Sequence, residues 1–323
     1  MKKKNENGES QNIINFPDNA EVLPKITPIK QRLIQTAAQI AMEKSTIEDA
    51  IFQHSAFCQT FFPYRNLGDA QHWEQTQGNI ELRVSAGSYF NRDTDAWEIT
   101  GIPYGTKSRL ILMYLNSYAV QNQSKIIDVG KTMSEFIKEL GLSVQGSTIK
   151  EVKEQLRRIA TATINLAYKD IDHTTQIRLE LVRRIDVWFP KDERQRVLWD
   201  TSIELSTDYF ESLIKHAIPL DKRAIAALSN NAMALDIYAW LVQRLHRITP
   251  NKPQFVTWQN LKDQFGQGYA AMDDFKRAFR KSLTVAKLQY MSARITEETN
   301  RGFKLENSPT PIPSKFILMP PSK

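Results

Sequence analysis

The sequence predicts an α+β chain, mainly α, made of two tandem units in which a helix-turn-helix is followed by a β-hairpin. Three observations predict it. A glycine-broken helix pair lies between Gly101 and Tyr168, a second copy of its pattern begins at Thr257, and an alternating, turn-broken stretch follows each basic helix.

Taken in order, residues 1–29 are polar and punctuated by Pro17, Pro24 and Pro28, the pattern of a disordered tail. Residues 33–57 read as one or two helices, and residues 80–89 with 96–100 alternate like a hairpin. This leading segment either completes the first core or makes a dimer contact. Pro103 and Gly105 then interrupt the chain, after which Leu110, Met113, Tyr114, Ser117 and Tyr118 recur at the spacing of one helix face. Thr132 with Glu135 has capping-box spacing, Phe136, Ile137 and Leu140 give the next helix a packing face, and Gly141 ends it. Thr148 with Glu151 repeats the capping signature, and Ile149, Val152, Leu156 and Ile159 share one side of the helix that follows. Its other side carries Lys150, Lys153 and Arg157 at i, i+3 and i+7, with Arg158 alongside. Residues 163–168 and 176–189 then alternate around a polar turn, a hairpin bearing Arg178, Arg183 and Arg184.

A charged, Pro-led break at residues 190–196 reads as a linker, and residues 207–216, 221–228 and 232–247 read as helices. TWQNLKDQFGQ (257–267) aligns with TMSEFIKELGL (132–142), threonine on threonine and Gly266 on Gly141. The next helix again has an apolar face, Phe275, Phe279, Leu283 and Ala286, with Lys276, Arg277, Arg280, Lys281 and Lys287 elsewhere around it. Between Phe275 and Thr296 there are six basic residues and no acidic one. Residues 290–296 and 303–305 make the equivalent shorter hairpin, with Arg301 in its turn. A basic helix after a glycine turn, followed by a wing, is the winged-helix arrangement, so the reading is two tandem winged-helix domains. The expected division is a tail over 1–29, a first domain over 30–196, a second over 197–306 and a Pro-rich tail over 307–323. The segment 316–319 (FILM) either packs back on its own domain or docks a partner.

A net charge of +7 and a pI near 9.3 favour an anionic partner. Nucleic acid suits that charge better than a membrane, because the apolar runs are far shorter than a span and the basic helices lack exposed aromatic anchors. A single cysteine, Cys58, permits no internal disulfide and fits a reducing cytosol. Residues 2–4 are lysines, but the polar stretch after them is not a secretory signal. Gly101 to Ser108 resembles a phosphate loop, yet three residues rather than four separate its glycines and Thr106 stands before Lys107, so no nucleotide is expected. His54, His72, His173, His216 and His246 are solitary, without the ligand spacing that a metal-dependent strand-nicking enzyme needs. Glu48-Asp49 and Asp273-Asp274 read as charges at helix starts. The expectation is a protein without enzymatic activity, cofactor or metal.

The blocks GIPYGTKSRLIL (101–112), SEFIKELGL (134–142), KEQLRRIATATI (153–164), IPLDKRAIAAL (218–228) and ALDIYAWLVQRL (234–245) carry a family resemblance. The chain resembles the RepA family of plasmid-encoded replication initiators over residues 97–305. That resemblance implies a cytoplasmic DNA-binding protein, in monomer–dimer equilibrium, that recognises direct repeats (iterons) in double-stranded DNA at a plasmid origin. It further implies opening of the duplex, recruitment of a host initiator ATPase and replicative helicase, and in some members repression of the protein's own gene. A transcriptional repressor without initiation activity is the alternative, and a protein-interaction scaffold the third reading. Phosphate contacts are expected from Lys153, Arg157, Lys276 and Arg280, and base reading from Ser147, Thr148, Lys150 and Asp274 near the helix starts. Because its helix is less diluted by acids, the second domain is expected to supply more affinity, so charge reversal at Arg280 should weaken binding more than at Arg157.

Overall fold

The computed structural model describes residues 27–91, 94–129, 132–169, 174–185 and 202–313. Helix α1 (Pro28–Met42) starts within the stretch read as a tail: Thr27 caps it by accepting from the Lys30 amide, and Pro28 takes a first-turn position where its missing N–H costs nothing. Strand β1 (Ala50–His54) lies where a helix was expected. Its backbone groups are committed instead to antiparallel pairing with residues 217–221, and tertiary pairing overrides the local helical pattern. Asp49 is no helix-start charge either. Its carboxylate closes the turn before β1 by accepting from the Thr46 amide at 2.8 Å and hydroxyl at 3.0 Å.

Four strands follow: β2 (His72–Gln77), β3 (Ile80–Ser85), β4 (Ser88–Asn91) and β5 (Ala96–Ile99). The expected hairpin is therefore divided, since β4 pairs with β5 while β3 joins β2 in a different sheet. Helix α2 (Gly105–Asn122) is buried on most sides, with Leu110, Ile111, Leu112, Met113 and Leu115 all in the core. After β6 (Ile126–Asp128) come α3 (Met133–Glu139) and α4 (Gly146–Thr161). Thr132 caps α3 through the Glu135 amide at 3.1 Å, as its spacing predicts. The second expected capping box does not form: α4 begins three residues earlier in the chain frame, with Gln145 as its N-cap, and Thr148 lies inside the first turn. Glu151 pairs instead with Lys107 at 2.9 Å.

Strands β7 (Thr163–Lys169) and β8 (Thr174–Glu180) form the expected hairpin, and β9 (Val182–Ile185) continues from it. Next come β10 (Ser202–Leu205), α5 (Thr207–His216), β11 (Ala217–Asp221), α6 (Lys222–Leu228) and α7 (Ala232–Leu245). The second copy of the pattern comprises β12 (Gln254–Thr257), α8 (Trp258–Phe265), α9 (Met272–Leu288), β13 (Ile295–Glu298) and β14 (Gly302–Leu305). Thr257 caps α8 through Asn260, as Thr132 caps α3. The stretch 290–294, read as strand, is a turn that buries Tyr290 and Ala293.

The two copies share their order of elements but differ in sheet wiring. In the second, the strands lie in the order β12-β14-β13, so the hairpin closes on the strand that precedes α8. Gly302 makes this possible: at φ 152° it brings its backbone so close to Val256 that a Cβ would meet the Val256 carbonyl oxygen. In the first, the hairpin extends the sheet β2-β3-β7-β8, while β6 pairs with β10, which pairs with β9. One continuous apolar core runs through both copies, from Leu33 to Ile312. Across it, Arg109 of α2 and Asp236 of α7 form a doubly bonded ion pair at 2.7 Å, each side chain 4% exposed. Helix α1 packs on α6 and α9, where Gln289 donates to the Leu33 carbonyl at 3.0 Å. The segment 307–313, expected as tail, packs back: Asn307 donates to the Ile248 carbonyl, Tyr290 to that of Pro309, and Ile312 is buried. The expected linker at 190–196 and the FILM segment at 316–319 lie outside the described residues.

Candidate nucleic-acid interface

Helix α9 presents its cations because its apolar positions are all spent on the core. Phe275, Phe279, Leu283 and Ala286 are buried, and Phe275 and Phe279 meet the Trp258 ring edge-on. Trp258 is itself 3% exposed and also packs against Phe303 of β14, so its ring is a fixed plate between α8, α9 and the hairpin. Over that plate lie two cations from α9, the Arg280 guanidinium at 4.8 Å and the Lys276 ammonium at 5.6 Å. Lys287 leans toward the same side and donates to the Ile295 carbonyl of β13 at 3.1 Å. These three residues line the seam between α9 and β13.

The other predicted cations of this unit are placed differently. Lys281 is exposed and has no bonded partner among the described residues. Arg277 is 79% exposed and pairs with Asp274 one turn back, so Asp274, expected to read bases, already accepts from a cation of its own helix. Arg301 stands at the tip of the β13–β14 turn, held by Glu298 at 3.1 Å and lying over the Phe255 ring. Arg280 has a partner that the sequence window ending at Thr296 stops just short of. Glu297 accepts from its Nε at 3.0 Å and its Nη2 at 2.7 Å.

The first unit has a thinner cationic face than its sequence predicts. Ser147 and Lys150 are exposed near the start of α4, with Thr148, Lys153 and Arg157 half-buried. Arg158 is a correction. It is 8% exposed, donates to the Ile102 carbonyl at 2.8 Å and to Glu154 at 2.7 Å, and stacks on Tyr104, so it ties α4 to the start of α2 instead of facing solvent. A strict 3.6-residue period puts it well away from the stripe of Ile149, Val152, Leu156 and Ile159, and it is buried because the chain at residues 102–104 covers that other side. Arg157 lies 4.5 Å over the Tyr89 ring of β4, and the Tyr89 hydroxyl donates to Glu98 of β5 at 2.7 Å. Bonds from Tyr89, Thr94 and Asn91, with the nearby Arg157 charge, hold the Glu98 carboxyl below its usual range. The β4–β5 hairpin can approach α4 this closely because Gly87 has no side chain: a Cβ there would collide with the Thr161 carbonyl. On β9, Arg183 is exposed and shares Glu204 with Lys125. Arg178 pairs through its backbone with Asn165, and its side chain lies outside the described residues.

Among the described residues no group of three or more His, Cys, Asp or Glu side chains is placed to hold a metal ion. Cys58 is fully buried, and burial pushes its thiol far above the usual range, so it is no nucleophile. Lys107, the lysine of the phosphate-loop near miss, is paired with Glu151. Among the described residues no helix is long and apolar enough to cross a membrane.

A family model described as plasmid encoded RepA protein matches residues 102–260. Over this stretch the chain is similar to the plasmid-encoded RepA family. The RepA match begins just before α2, takes in α4 whole and ends within α8, so the cationic helix α9 lies beyond it. The similarity supports a role in replication initiation. Among the solved structures that align with the chain are a crystal structure of RctB domains 2-3, with 10% identity over 79% of this chain and 96% of that one at a TM-score of 0.48, and one of selenomethionine derivatives of RctB domain 2 and domain 3, with 10% identity over 78% and 96% at 0.48. No curated protein matches.

Proposed function

We propose that this chain is a plasmid replication initiator without enzymatic activity, acting in the cytoplasm. It binds direct repeats at the plasmid origin through two winged-helix units, helps open the duplex and recruits host replication proteins. The observation that carries the reading is the pair α4 and α9, each preceded by a short threonine-capped helix, followed by a hairpin and turned so that an apolar face meets the core while cations remain outside. A helix of that kind fits the major groove, and two such units in tandem can occupy grooves about 34 Å apart on one DNA face. Exposed Lys150 and Lys281 supply phosphate contacts, which make affinity fall steeply with salt. Recruitment of a host initiator ATPase and helicase, a monomer–dimer equilibrium and repression of the protein's own gene follow from the RepA family alone.

The test is fluorescence anisotropy on the direct repeats nearest the protein's own gene, against a scrambled duplex, over a series of salt concentrations. Binding that is steep in salt and prefers the repeats by about a thousandfold is the expected result. Equal weak binding to both duplexes overturns the reading. Permanganate reactivity of the origin thymines then separates initiation from repression, since a pure repressor binds the repeats without unpairing the neighbouring duplex.

A further inference from the structure

Resting on that reading, we propose that Arg280 and Glu297 form a base-reading pair, in which Glu297 fixes Arg280 as a rigid fork for a guanine edge in the major groove. Of the exposed arginines of the second unit, Arg277 and Arg301 are held by acids three residues away on their own element. Arg280 is held across elements. Glu297 of β13 grips the Nε and Nη2 edge in a bidentate bond, and Trp258 of α8 lies beneath the guanidinium plane. Two of the three ways a guanidinium can move, rotation in its plane and tilting out of it, are thereby blocked. Its remaining end, Nη1 with the outer hydrogen of Nη2, has no partner among the described residues, and the side chain is 45% exposed.

This arrangement suits a base better than a phosphate. A paired guanidinium carries little net charge toward a distant anion, so it adds less to non-specific attraction than a free lysine does. What it retains is geometry: two parallel N–H groups at a fixed angle, which match the O6 and N7 acceptors of guanine and no other base-pair edge. Glu297 is thus a positioning residue, and Arg280 the specificity-determining one. The arrangement has a parallel in the first unit, where Arg157 of α4 lies on Tyr89, itself bonded to Glu98, although the plate and the acid come from the β4–β5 hairpin. The first unit shares the aromatic plate, but there the acid accepts from the ring's hydroxyl, and the carboxylate fork is that of Arg280.

The experiment is selection from a randomised duplex pool by the full-length protein, followed by binding series on the selected site with each guanine replaced in turn by 7-deazaguanine. For the wild type, loss of one N7 should weaken binding on the order of tenfold. Arg280→Lys and Glu297→Gln should both lose that discrimination. Glu297→Gln, which frees the guanidinium charge, should in addition bind scrambled DNA more tightly and steepen the salt dependence by about one ion. Circular dichroism melting of both variants shows whether the fold is kept, and Glu297→Asp, which keeps the carboxylate, should retain the guanine preference in part. If the wild type selects no sequence, the DNA-binding reading and this inference fall together. If it selects one and Glu297→Gln keeps the same N7 dependence, or Arg280→Lys weakens all duplexes uniformly, only this inference is overturned.

Discussion

Arg109 and Asp236 are the single pair on which the joint between α2 and α7 most depends, because each charge is buried and satisfied by the other. Asp236→Ala should destabilise the protein by about 3–5 kcal/mol, read from urea unfolding, since it leaves a buried guanidinium unpaired. His54 is the second residue with a sharp expectation. Burial, with the neighbouring His216 charge, holds its imidazole down to about 4, whereas in the unfolded chain it titrates near 6.5. A folded-state value below the unfolded one means that the unfolded chain binds the proton first. Stability is therefore full above about pH 6.5 and falls as the pH drops from there toward about 4, by roughly 1.4 kcal/mol per pH unit at most. Urea midpoints taken between about pH 7 and pH 5 should show this slope, and His54→Gln should flatten it. The sequence displayed these residues but not their surroundings. Arg158 and Arg157 are neighbours in a basic run, and only the course of residues 101–104 decides that the first is buried.

Elements with an internal signal were legible, and those defined by a distant partner were not. Helices α3, α5, α6, α7 and α8 declare themselves by a capping side chain and α9 by its period, since caps and helical backbone bonds are local. Strands β1, β6 and β10 are three to five residues long and owe their existence to pairing across tens of residues, which no local window contains. Of the β4–β5 hairpin only β5 was seen whole, because the expected partner strand 80–89 is mostly β3 and reaches β4 only at Ser88 and Tyr89. The hairpin turns Tyr89 and Glu98 toward α4 and leaves Phe90, Trp97 and Ile99 exposed on its other face. Trp97→Ser should therefore shift the unfolding free energy by no more than about 0.5 kcal/mol. Gly302→Ala, by contrast, should separate β14 from β12 and lower the melting temperature measurably, because its Cβ has no room beside Val256. The cationic faces were half legible: period and residue type bring out the cations of α4 and α9 but put Arg158 on the wrong side, and the rings over which Arg157 and Arg280 lie and the acid that grips Arg280 come from β4, α8 and β13.

At the scale of the whole molecule, the two copies are not separable beads. Strand β1 pairs with β11, α1 rests on α6 and α9, and the core is continuous. A fragment beginning at residue 202 should consequently fail to unfold cooperatively in a thermal melt, having lost the strand that covers Ile218 and Leu220 and the helix that covers α6. A sharp transition matching that of the full chain would show the opposite, a self-sufficient second unit. The same pairing governs the order in which the protein can be made. Ala50 leaves the ribosome well before its partner Asp221, and synthesis at about 5–20 residues per second puts a wait of the order of ten seconds between them. For that interval β1 is an unpaired edge beside the apolar stretch of Phe57, Phe61 and Phe62, and the growing chain has a window in which a chaperone or a neighbouring nascent chain competes with its own later half.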